Sequence, residues 1–414
     1  MSRPAPLINR PRAQDVLGRA GVAALVLSDP VNIYYATGFW PQTVAMGQAG
    51  AAFAVVPADA ALPVTLISSQ FIHYLFDLDT MPAGAPLEVR LFTAPEGLEG
   101  SDEIRAAPPI FLKPTTGGTP DPMDAISQNA TRGALAIHPA YPDVVAALRD
   151  TLAAFPGTLG IDSFIAQGLF GDAFAWRPAD PLLRAIRMVK TPAEIVLARH
   201  AARNNAQAAR AAIESIRPGD TYQDLRSAFF AETGRRGGVP LFVSTDSMAM
   251  RMRDGVIRAG RSFQIDAVSH YGFYHGDYGR TVFVGEPDPV ILRMVEAAVC
   301  ANDAIAAQLR PGLRFSDVRA IGHDALKAAG FDQQIACVAH SVGLFHTDEA
   351  FRGGALHFAK DDHIIEANMV LSIDCPVLHL DAAGNVHLED LWLVTDDGCE
   401  PLNERDSPYI QIPA

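Results

Sequence analysis

Residues 262–284 read SFQIDAVSHYGFYHGDYGRTVFV, and this stretch decides the fold of the chain. Its two acids, Asp266 and Asp277, each lie at the inner end of a short apolar run, residues 263–265 and 281–284, with Tyr and Gly between them. Apolar runs of this length, separated by turn residues, are typical of a β-hairpin. The sequence therefore predicts a hairpin that holds two carboxylates.

A second stretch repeats this plan further along the chain. Residues 369–374 read MVLSID, a turn follows through residues 381–385, and residues 386–394 read VHLEDLWLV, so that the acids here are Asp374 and Glu389. An acid that ends so apolar a run loses several kcal/mol of hydration unless it is paired, hydrogen-bonded or bound to a cation. Four such acids need a counter-charge, and a pair of metal ions is the simplest one.

Composition limits the class of protein and of partner. A chain of 414 residues is long enough for two domains of ordinary size. The net charge of −14 and the absence of a long basic run argue against nucleic acid as a partner. The four cysteines show no CxxC spacing, which argues against a disulfide framework or a thiolate zinc site. Without a signal-like N-terminus or an apolar run of about 18 residues, we expect a soluble, cytoplasmic protein without membrane contact.

Two domains are predicted, residues 1–180 and residues 181–414. The first alternates helix and strand patterns and is predicted to be an α/β domain, with a long connecting segment where Pro, Gly and Thr are frequent, between residues 82 and 122. In the second, Thr191 before Pro192, with Glu194 three residues after the threonine, predicts the start of a long helix.

The second predicted domain contains a weak internal repeat. Two helices, near residues 192–216 and 222–234, precede the first acid hairpin, and two more, near 289–309 and 316–330, precede the second. The repeat lies in the order of elements and not in residue identity. An approximate twofold would bring both acid hairpins to one central cavity.

A histidine stretch stands between the two halves. Residues 334–349 read QIACVAHSVGLFHTDE, and His340 ends a run of small apolar residues, with His346 close behind it. An isolated histidine after a strand is more often a hydrogen-bonded core residue than a ligand. Together with four carboxylates, however, one histidine favours a site for Mn²⁺, Fe²⁺, Co²⁺ or Zn²⁺ over Ca²⁺.

At this point the chain resembles a known family, the metallopeptidases that include aminopeptidase P, prolidase, methionine aminopeptidase and creatinase. The resemblance covers nearly the whole chain. Two motifs of the first half carry it: DPVNIYYATGF looks like the family's N-terminal strand-turn signature, and RAIRMVKTPAEI looks like its interdomain junction. In the second half, the hairpin from Asp266 to Thr281 resembles the family's ligand hairpin, HSVGLFH its histidine motif and HLEDLWLV its last ligand strand. It implies an α+β fold, in which a pita-bread catalytic domain with a pseudo-twofold repeat follows an α/β creatinase-like N-terminal domain.

The resemblance also implies site residues. Two divalent ions would be held by Asp266, Asp277, His340, Asp374 and Glu389, with Asp277 and Glu389 bridging them. Bridged ions stand ~3.5–4 Å apart, and a shared water then loses its proton near neutral pH and becomes the nucleophile. His346 would donate to the scissile carbonyl or its oxyanion, and Arg280 would pair with a bridging carboxylate. The pocket or its surroundings would include Tyr274, His275 and Trp40.

Two departures from the family pattern bear on the substrate. Peptidase relatives carry Glu in an EPG motif where this chain has Asp374, followed by Cys and Pro, so one predicted ligand is a methylene shorter. The proline-directed relatives also carry a substrate-contacting histidine upstream of the first metal Asp, whereas residues 246–253 here read DSMAMRMR. The alternating methionines are typical of a strand with one apolar face. An Xaa-Pro peptide is therefore not the only substrate to consider.

Three functions remain open from the sequence. The first is a dinuclear metallohydrolase that cuts an amide-type C–N bond in a small molecule or dipeptide. The second is a lyase like the dimethylsulfoniopropionate-cleaving relatives, although these carry an additional acid two residues after the first Asp, where this chain has Val268. The third is a metal-free binding protein on the same fold. The resemblance also implies a homodimer, in which Phe39 and Trp40 reach the partner's site.

Overall fold

A computed structural model describes residues 6–70, 72–73, 87–92, 121–125, 141–245, 255–333, 335–351, 361–378, 385–405 and 407–414. The chain divides into two compact units, residues 1–186 and 187–414. Each unit has its own sheet.

The first unit is built on a six-stranded sheet with helices between its strands. Its strands are β1 (Val22–Leu27), β2 (Ala52–Pro57), β3 (Val64–Ser69), β4 (Leu87–Phe92), β5 (Thr158–Ile161) and β6 (Ala175–Pro178), in the spatial order β4-β3-β2-β1-β5-β6. Its helices are α1 (Arg10–Ala20), α2 (Pro30–Thr37), α3 (Gln42–Ala45), α4 (Val144–Leu152), α5 (Ile165–Phe170) and α6 (Asp180–Arg187), the last of which runs one residue past the division. The mixture of parallel and antiparallel pairs in this sheet is that of an α/β domain.

The stretch DPVNIYYATGF forms helix α2, which corrects the strand-turn interpretation of this motif. The Asp29 carboxylate accepts hydrogen bonds from the backbone N–H groups of Val31 and Asn32, and Pro30 occupies the first helical position. The helix ends at Gly38, whose φ of 71° is in the left-handed region that favours glycine. Local capping thus outweighs the β-branched and aromatic residues of the motif.

The segment predicted as a connection between residues 82 and 122 contains a strand. Residues 87–92 form β4, which pairs in parallel with β3 at the edge of the sheet. The alternation of apolar and polar residues in LEVRLF is short and lies between proline-rich stretches. The sequence pattern therefore did not predict a strand here. Most of the remaining predicted segment lies outside the described residues, as do the alternating methionines of residues 246–253.

The second unit is built on an eight-stranded sheet flanked by four helices. Its helices are α7 (Pro192–Ser215), α8 (Tyr222–Arg235), α9 (Pro289–Ala306) and α10 (Phe315–Ala328). Its strands are β7 (Val239–Thr245), β8 (Ser262–Tyr271), β9 (Tyr274–Val284), β10 (Val338–Ser341), β11 (Val370–Val377), β12 (Val386–Val394), β13 (Cys399–Pro401) and β14 (Tyr409–Ile412). Helix α7 begins with the predicted capping box of Thr191 and Glu194.

The order of the strands displays the predicted repeat. Along the sheet the strands follow β10-β11-β12-β9-β8-β7, so three strands of each half meet where β12 pairs with β9. Helix α7 packs on β8 and β9 and helix α8 on β7, with one apolar core on this half. Helix α9 packs on β11 and β12 and helix α10 on β10, with a second core on the other half. The pita-bread fold predicted for this unit is confirmed, and its two acid hairpins lie side by side. Among the described residues, none of the helices combines the length and apolar character that a bilayer crossing requires.

Candidate metal centre

Three of the predicted ligands lie in one row across the sheet. In the strand register Asp266 on β8 is opposite Gly279 on β9, Gly279 is opposite Glu389 on β12, and Glu389 is opposite Asp374 on β11. Residues opposite each other in a sheet carry side chains on the same face, and so do residues two apart on one strand. Asp277, two residues before Gly279, therefore faces the same side as the row.

His340 joins this face from strand β10. Its Nε2 lies 3.5 Å from Asp277 Oδ2, 3.7 Å from Asp374 Oδ2 and 3.8 Å from Glu389 Oε1. The strand places it there because β10 pairs with β11, with His340 opposite Ser372. All five residues that the family resemblance implied as ligands are thus brought together, from five strands and both halves of the sheet.

The donor atoms form groups suited to a cation. Ligand atoms of Asp266, Asp277 and Glu389 lie within 4.8 Å of one another, and the same holds for His340, Asp374 and Glu389. Within the described part of the chain, the buried oxygens Asp266 Oδ1 and Asp277 Oδ1 have no hydrogen-bond partner. A buried carboxylate oxygen without a donor is costly unless a cation faces it. The residues present therefore fit divalent metal ions.

The electrostatics of the cluster indicate an excess of negative charge. Burial raises the pKa of Asp266 well above its ordinary value, and the charges of Glu389 and Asp277 raise it further. Burial, followed by the charge of Glu389, raises the pKa of Asp374 to about 7. Burial opposes ionisation of Glu389, but the imidazoles beside it hold its pKa well below the usual range. Divalent cations would supply the missing positive charge.

His346 lies at the open side of the cluster. Its Nε2 is 2.8 Å from Asp277 Oδ2, and its ring centroid is 4.9 Å from that of His340. Its side chain is 37% exposed, whereas that of Asp277 is fully buried. His346 is therefore the histidine of the cluster with most access to a molecule entering from solvent.

His387 belongs to this cluster although the sequence did not single it out. It lies on β12 two residues before Glu389, and its Nε2 is 3.0 Å from Glu389 Oε2 and 3.7 Å from Asp374 Oδ1. The period of two along a strand is the signal that could have found it. Ser372 also contacts the cluster, since its hydroxyl donates to Glu389 Oε1 at 2.6 Å.

Arg280 does not form its ion pair with a predicted bridging carboxylate, which corrects that expectation. Its guanidinium donates to Asp390 Oδ1 at 2.7 Å, and it reaches Glu389 only through the backbone carbonyl, at 2.9 Å. Arg280 and Asp390 each have a side chain 1% exposed. Arg280 alternates in direction with Gly279, so its side chain leaves the sheet on the face opposite the acids and fastens β9 to β12 there.

Tyr274 and His275 stabilise the surroundings of the cluster in different ways. Tyr274 is fully buried and donates to Glu194 Oε1 at 2.9 Å, so it anchors the hairpin to the start of α7 and does not line the pocket. The Nδ1 of His275 donates to the carbonyl of Gly343 at 3.1 Å, and the His275 backbone N–H donates to the same oxygen at 2.9 Å. His275 thus positions the loop that carries His346.

The two aromatic residues predicted to reach a partner's site lie in the first unit. Phe39 is 2% exposed and packs inside that unit, so it is not available to reach outward. Trp40 is half-buried, and its Nε1 donates to Gln42 Oε1 at 3.0 Å.

At position 268, where the lyase relatives carry an acid, Val268 is fully buried.

Comparison with known proteins agrees with these observations. Residues 196–396 match the model of metallopeptidase family M24, and residues 10–69 match the creatinase/prolidase N-terminal domain. The chain is 24% identical over 272 residues to an Xaa-Pro dipeptidase of Pyrococcus furiosus, covering 60% of this chain and 74% of the relative. It is 27% identical over 245 residues to the probable dipeptidase PepE of Mycobacterium tuberculosis, covering 57% and 64%.

Solved structures share the fold over nearly the full length. A dipeptidase from Pyrococcus horikoshii superposes with a TM-score of 0.67 at 18% identity, covering 97% of this chain and 99% of that one. Dipeptidase PepE from Mycobacterium ulcerans gives a TM-score of 0.65 at 19% identity, covering 98% and 97%. With both family models matched in order and the acid and histidine cluster assembled at the centre of the sheet, the chain belongs to metallopeptidase family M24, in its creatinase/prolidase-like branch, and is a metal-dependent hydrolase of the peptidase type.

Proposed function

We propose that this enzyme hydrolyses dipeptides at a centre of two divalent cations. The observation that carries the proposal is the position of Glu389, which belongs both to the group with Asp266 and Asp277 and to the group with His340 and Asp374. A carboxylate shared by two groups of ligands is the arrangement that two-metal hydrolases use. Asp277 contacts His340 as well, at 3.5 Å, and would be the second bridging ligand.

When bound, the cations supply Lewis acidity and a water nucleophile that is acidic enough to act near neutral pH. The chain's own residues orient that chemistry. Ser372 donates to Glu389 Oε1, and His387 Nε2 lies 3.0 Å from the other oxygen, Oε2, so both oxygens of this carboxylate are held in place. Mn²⁺, Fe²⁺, Co²⁺ or Zn²⁺ suits a set of four carboxylates and histidine nitrogen.

We assign His346 the role of hydrogen-bond donor to the substrate oxyanion. Its imidazole is partly exposed beside fully buried Asp277, so it borders both the cluster and the open space. Burial opposes protonation of His346, but the contact with Asp277 outweighs this effect and raises the pKa of His346 above its ordinary value. A donor of this kind contributes on the order of 10²–10³-fold to kcat. The Asp374 side chain is a methylene shorter than the Glu of peptidase relatives. In this proposal its carboxylate therefore reaches less far toward the ion that it would hold with His340 and Glu389.

A dipeptide substrate is supported by relatives whose names are Xaa-Pro dipeptidase and probable dipeptidase. Residues 246–253 contain no histidine upstream of the first acid. We therefore propose that a proline in the second position is not required.

A homodimer with Trp40 near the partner's site stays a prediction from the family resemblance, and sedimentation analysis would test it.

The experiment is a dipeptide panel with and without proline in the second position, assayed on protein loaded with Mn²⁺ or Co²⁺. We expect at least one dipeptide without proline to be cleaved, with full loss of turnover after chelation and in Asp277→Asn. The exposed variant Asp397→Asn serves as a matched control and should retain full turnover. Protein that carries two ions per chain and cleaves no dipeptide would overturn the proposed function.

A further inference from the structure

His387 approaches the cluster as a counterpart of His340. The Nε2 of His340 faces Asp374 Oδ2 at 3.7 Å and Glu389 Oε1 at 3.8 Å. The Nε2 of His387 faces the other oxygen of each carboxylate, Asp374 Oδ1 at 3.7 Å and Glu389 Oε2 at 3.0 Å. The two imidazoles therefore address opposite oxygens of the same pair of acids. Each oxygen of Glu389, the residue that the two groups of metal ligands share, therefore faces a different histidine.

The space that His387 occupies lies between two acids of the row. Gly279 stands between Asp266 and Glu389 in the strand register. A Cβ atom at position 279 would lie 2.6 Å from His387 Nε2 and 2.8 Å from Glu389 Cβ, closer than real Cβ contacts occur. The imidazole thus fills the gap above Gly279, which brings its Nε2 toward the group formed by Asp266, Asp277 and Glu389.

Two chemical roles fit a nitrogen in this position. The Nε2 could carry a proton and donate it to Glu389 Oε2, or it could present its lone pair to a cation that Glu389 also binds. Ligands of one transition-metal ion stand about 3 Å apart when their bonds are about 2.1 Å long, so a separation of 3.0 Å suits both roles. Only the second role uses the position of the ring over Gly279, because Gly279 lies opposite Asp266, whose buried Oδ1 has no hydrogen-bond partner among the described residues.

We propose that His387 supplies a nitrogen ligand to the cation held by Asp266, Asp277 and Glu389. This assignment rests on the proposed two-cation centre and deepens it, because it gives each ion one histidine. A site of three carboxylates alone favours hard ions, whereas an added imidazole raises its preference for Co²⁺ over Mn²⁺. His387 then determines which metal fills this position.

The test compares His387→Gln with wild type by calorimetric titration of the metal-free protein with Co²⁺ and, separately, with Mn²⁺. Glutamine keeps a donor for Glu389 but removes the imidazole. We expect the affinity of one of the two sites for Co²⁺ to fall on the order of tenfold more than its affinity for Mn²⁺, with the other site unchanged. The exposed His323→Gln serves as a matched control and should leave both affinities at the wild-type values.

The alternatives give different results. Equal losses for Co²⁺ and Mn²⁺, or no loss, would show that His387 acts only through Glu389 and would overturn the assignment while leaving the two-cation centre intact. Wild type that binds fewer than two ions would overturn the two-cation centre and the assignment together. A structure of Co²⁺-loaded wild type provides a measurement that does not depend on how the variant folds. We expect His387 Nε2 within bonding distance of the ion, about 2.0–2.1 Å by analogy with zinc, and a separation above about 3 Å would contradict the proposal.

Discussion

Replacing Arg280 by methionine tests how the two halves of the central sheet are held together. The Arg280 guanidinium donates to Asp390 Oδ1 at 2.7 Å, to the carbonyls of Gly279 and Glu389 at 2.7 and 2.9 Å, and to the carbonyl of Ser407 at 3.0 Å. The bonds to Asp390 and Glu389 cross from β9 to β12 behind the row of acids. Methionine has a similar volume and can make none of them.

The size of the effect follows from the burial of the pair. Removing one partner of a buried ion pair costs about 3–5 kcal/mol, because the other charge is left without compensation. Asp390 keeps Asn403 Nδ2 at 2.7 Å and Arg405 Nε at 3.2 Å, so we expect the lower end of this range. For a unit of this size, each kcal/mol lowers Tm by roughly 2–4 °C, which gives a decrease of roughly 6–12 °C at about 3 kcal/mol.

The assay is thermal and denaturant unfolding of Arg280→Met, Asp390→Asn and the double variant. We expect the double variant to lose at least about 1 kcal/mol less than the sum of the single losses, because the two side chains share one interaction. Arg199→Met is a matched control, since Arg199 pairs with Glu400 at 2.6 Å with 30% and 47% of the side chains exposed. It should cost less than about 1 kcal/mol. A similar small loss in Arg280→Met, or strictly additive losses, would refute this reasoning.

Three further predictions concern the cluster and its surroundings. His346→Ala should lower kcat on the order of 10²–10³-fold while metal content stays at the wild-type value, and unchanged turnover would reduce His346 to a structural residue. Asp374→Glu should retain at least one ion per chain in calorimetry but lose most dipeptidase activity, because the longer side chain occupies space that the substrate needs; full activity would contradict this. Burial raises the pKa of Glu194 from 4.5 to about 7, and the charge of Asp348 acts in the same direction. The charge of Lys190 and the hydrogen bonds from Thr191 and Tyr274 oppose this shift only in part. The stability that the protonated form of Glu194 contributes is therefore present below pH 4.5 and is lost as the pH rises through 7. Between pH 5 and pH 8, the Tm of Glu194→Gln should fall less than that of wild type, and equal decreases would contradict the shift.

The sequence predicted the central hairpins because their signals are local. An apolar run closed by an acid, a turn and a second apolar run sufficed to place Asp374 and Glu389 on neighbouring strands, and the structure pairs them directly. Helix α7 was predicted from its capping box for the same reason. The repeat of elements also indicated the two halves that meet between β9 and β12.

The errors arose where the partner lies far away in the chain. Arg280 follows Asp277 closely in sequence, but its ion-pair partner Asp390 is 110 residues away and comes beside it only through strand pairing. His387 was overlooked because a histidine in a strand gives no local signal beyond its period-two relation to Glu389. Strand β4 was missed because its six residues stand in a proline-rich region, where pairing with β3 and not local propensity determines the structure.

The most direct test of the two-cation centre is the metal content of Glu389→Ala measured beside wild type. Both proteins would be loaded with Co²⁺, passed through a desalting column and analysed for metal per chain, with circular dichroism to show that the variant is folded. We predict two ions per chain in wild type and well under one in Glu389→Ala, because Glu389 belongs to both groups of ligands. A folded Glu389→Ala protein that retains two ions per chain, or wild type that binds none, would contradict the dinuclear centre.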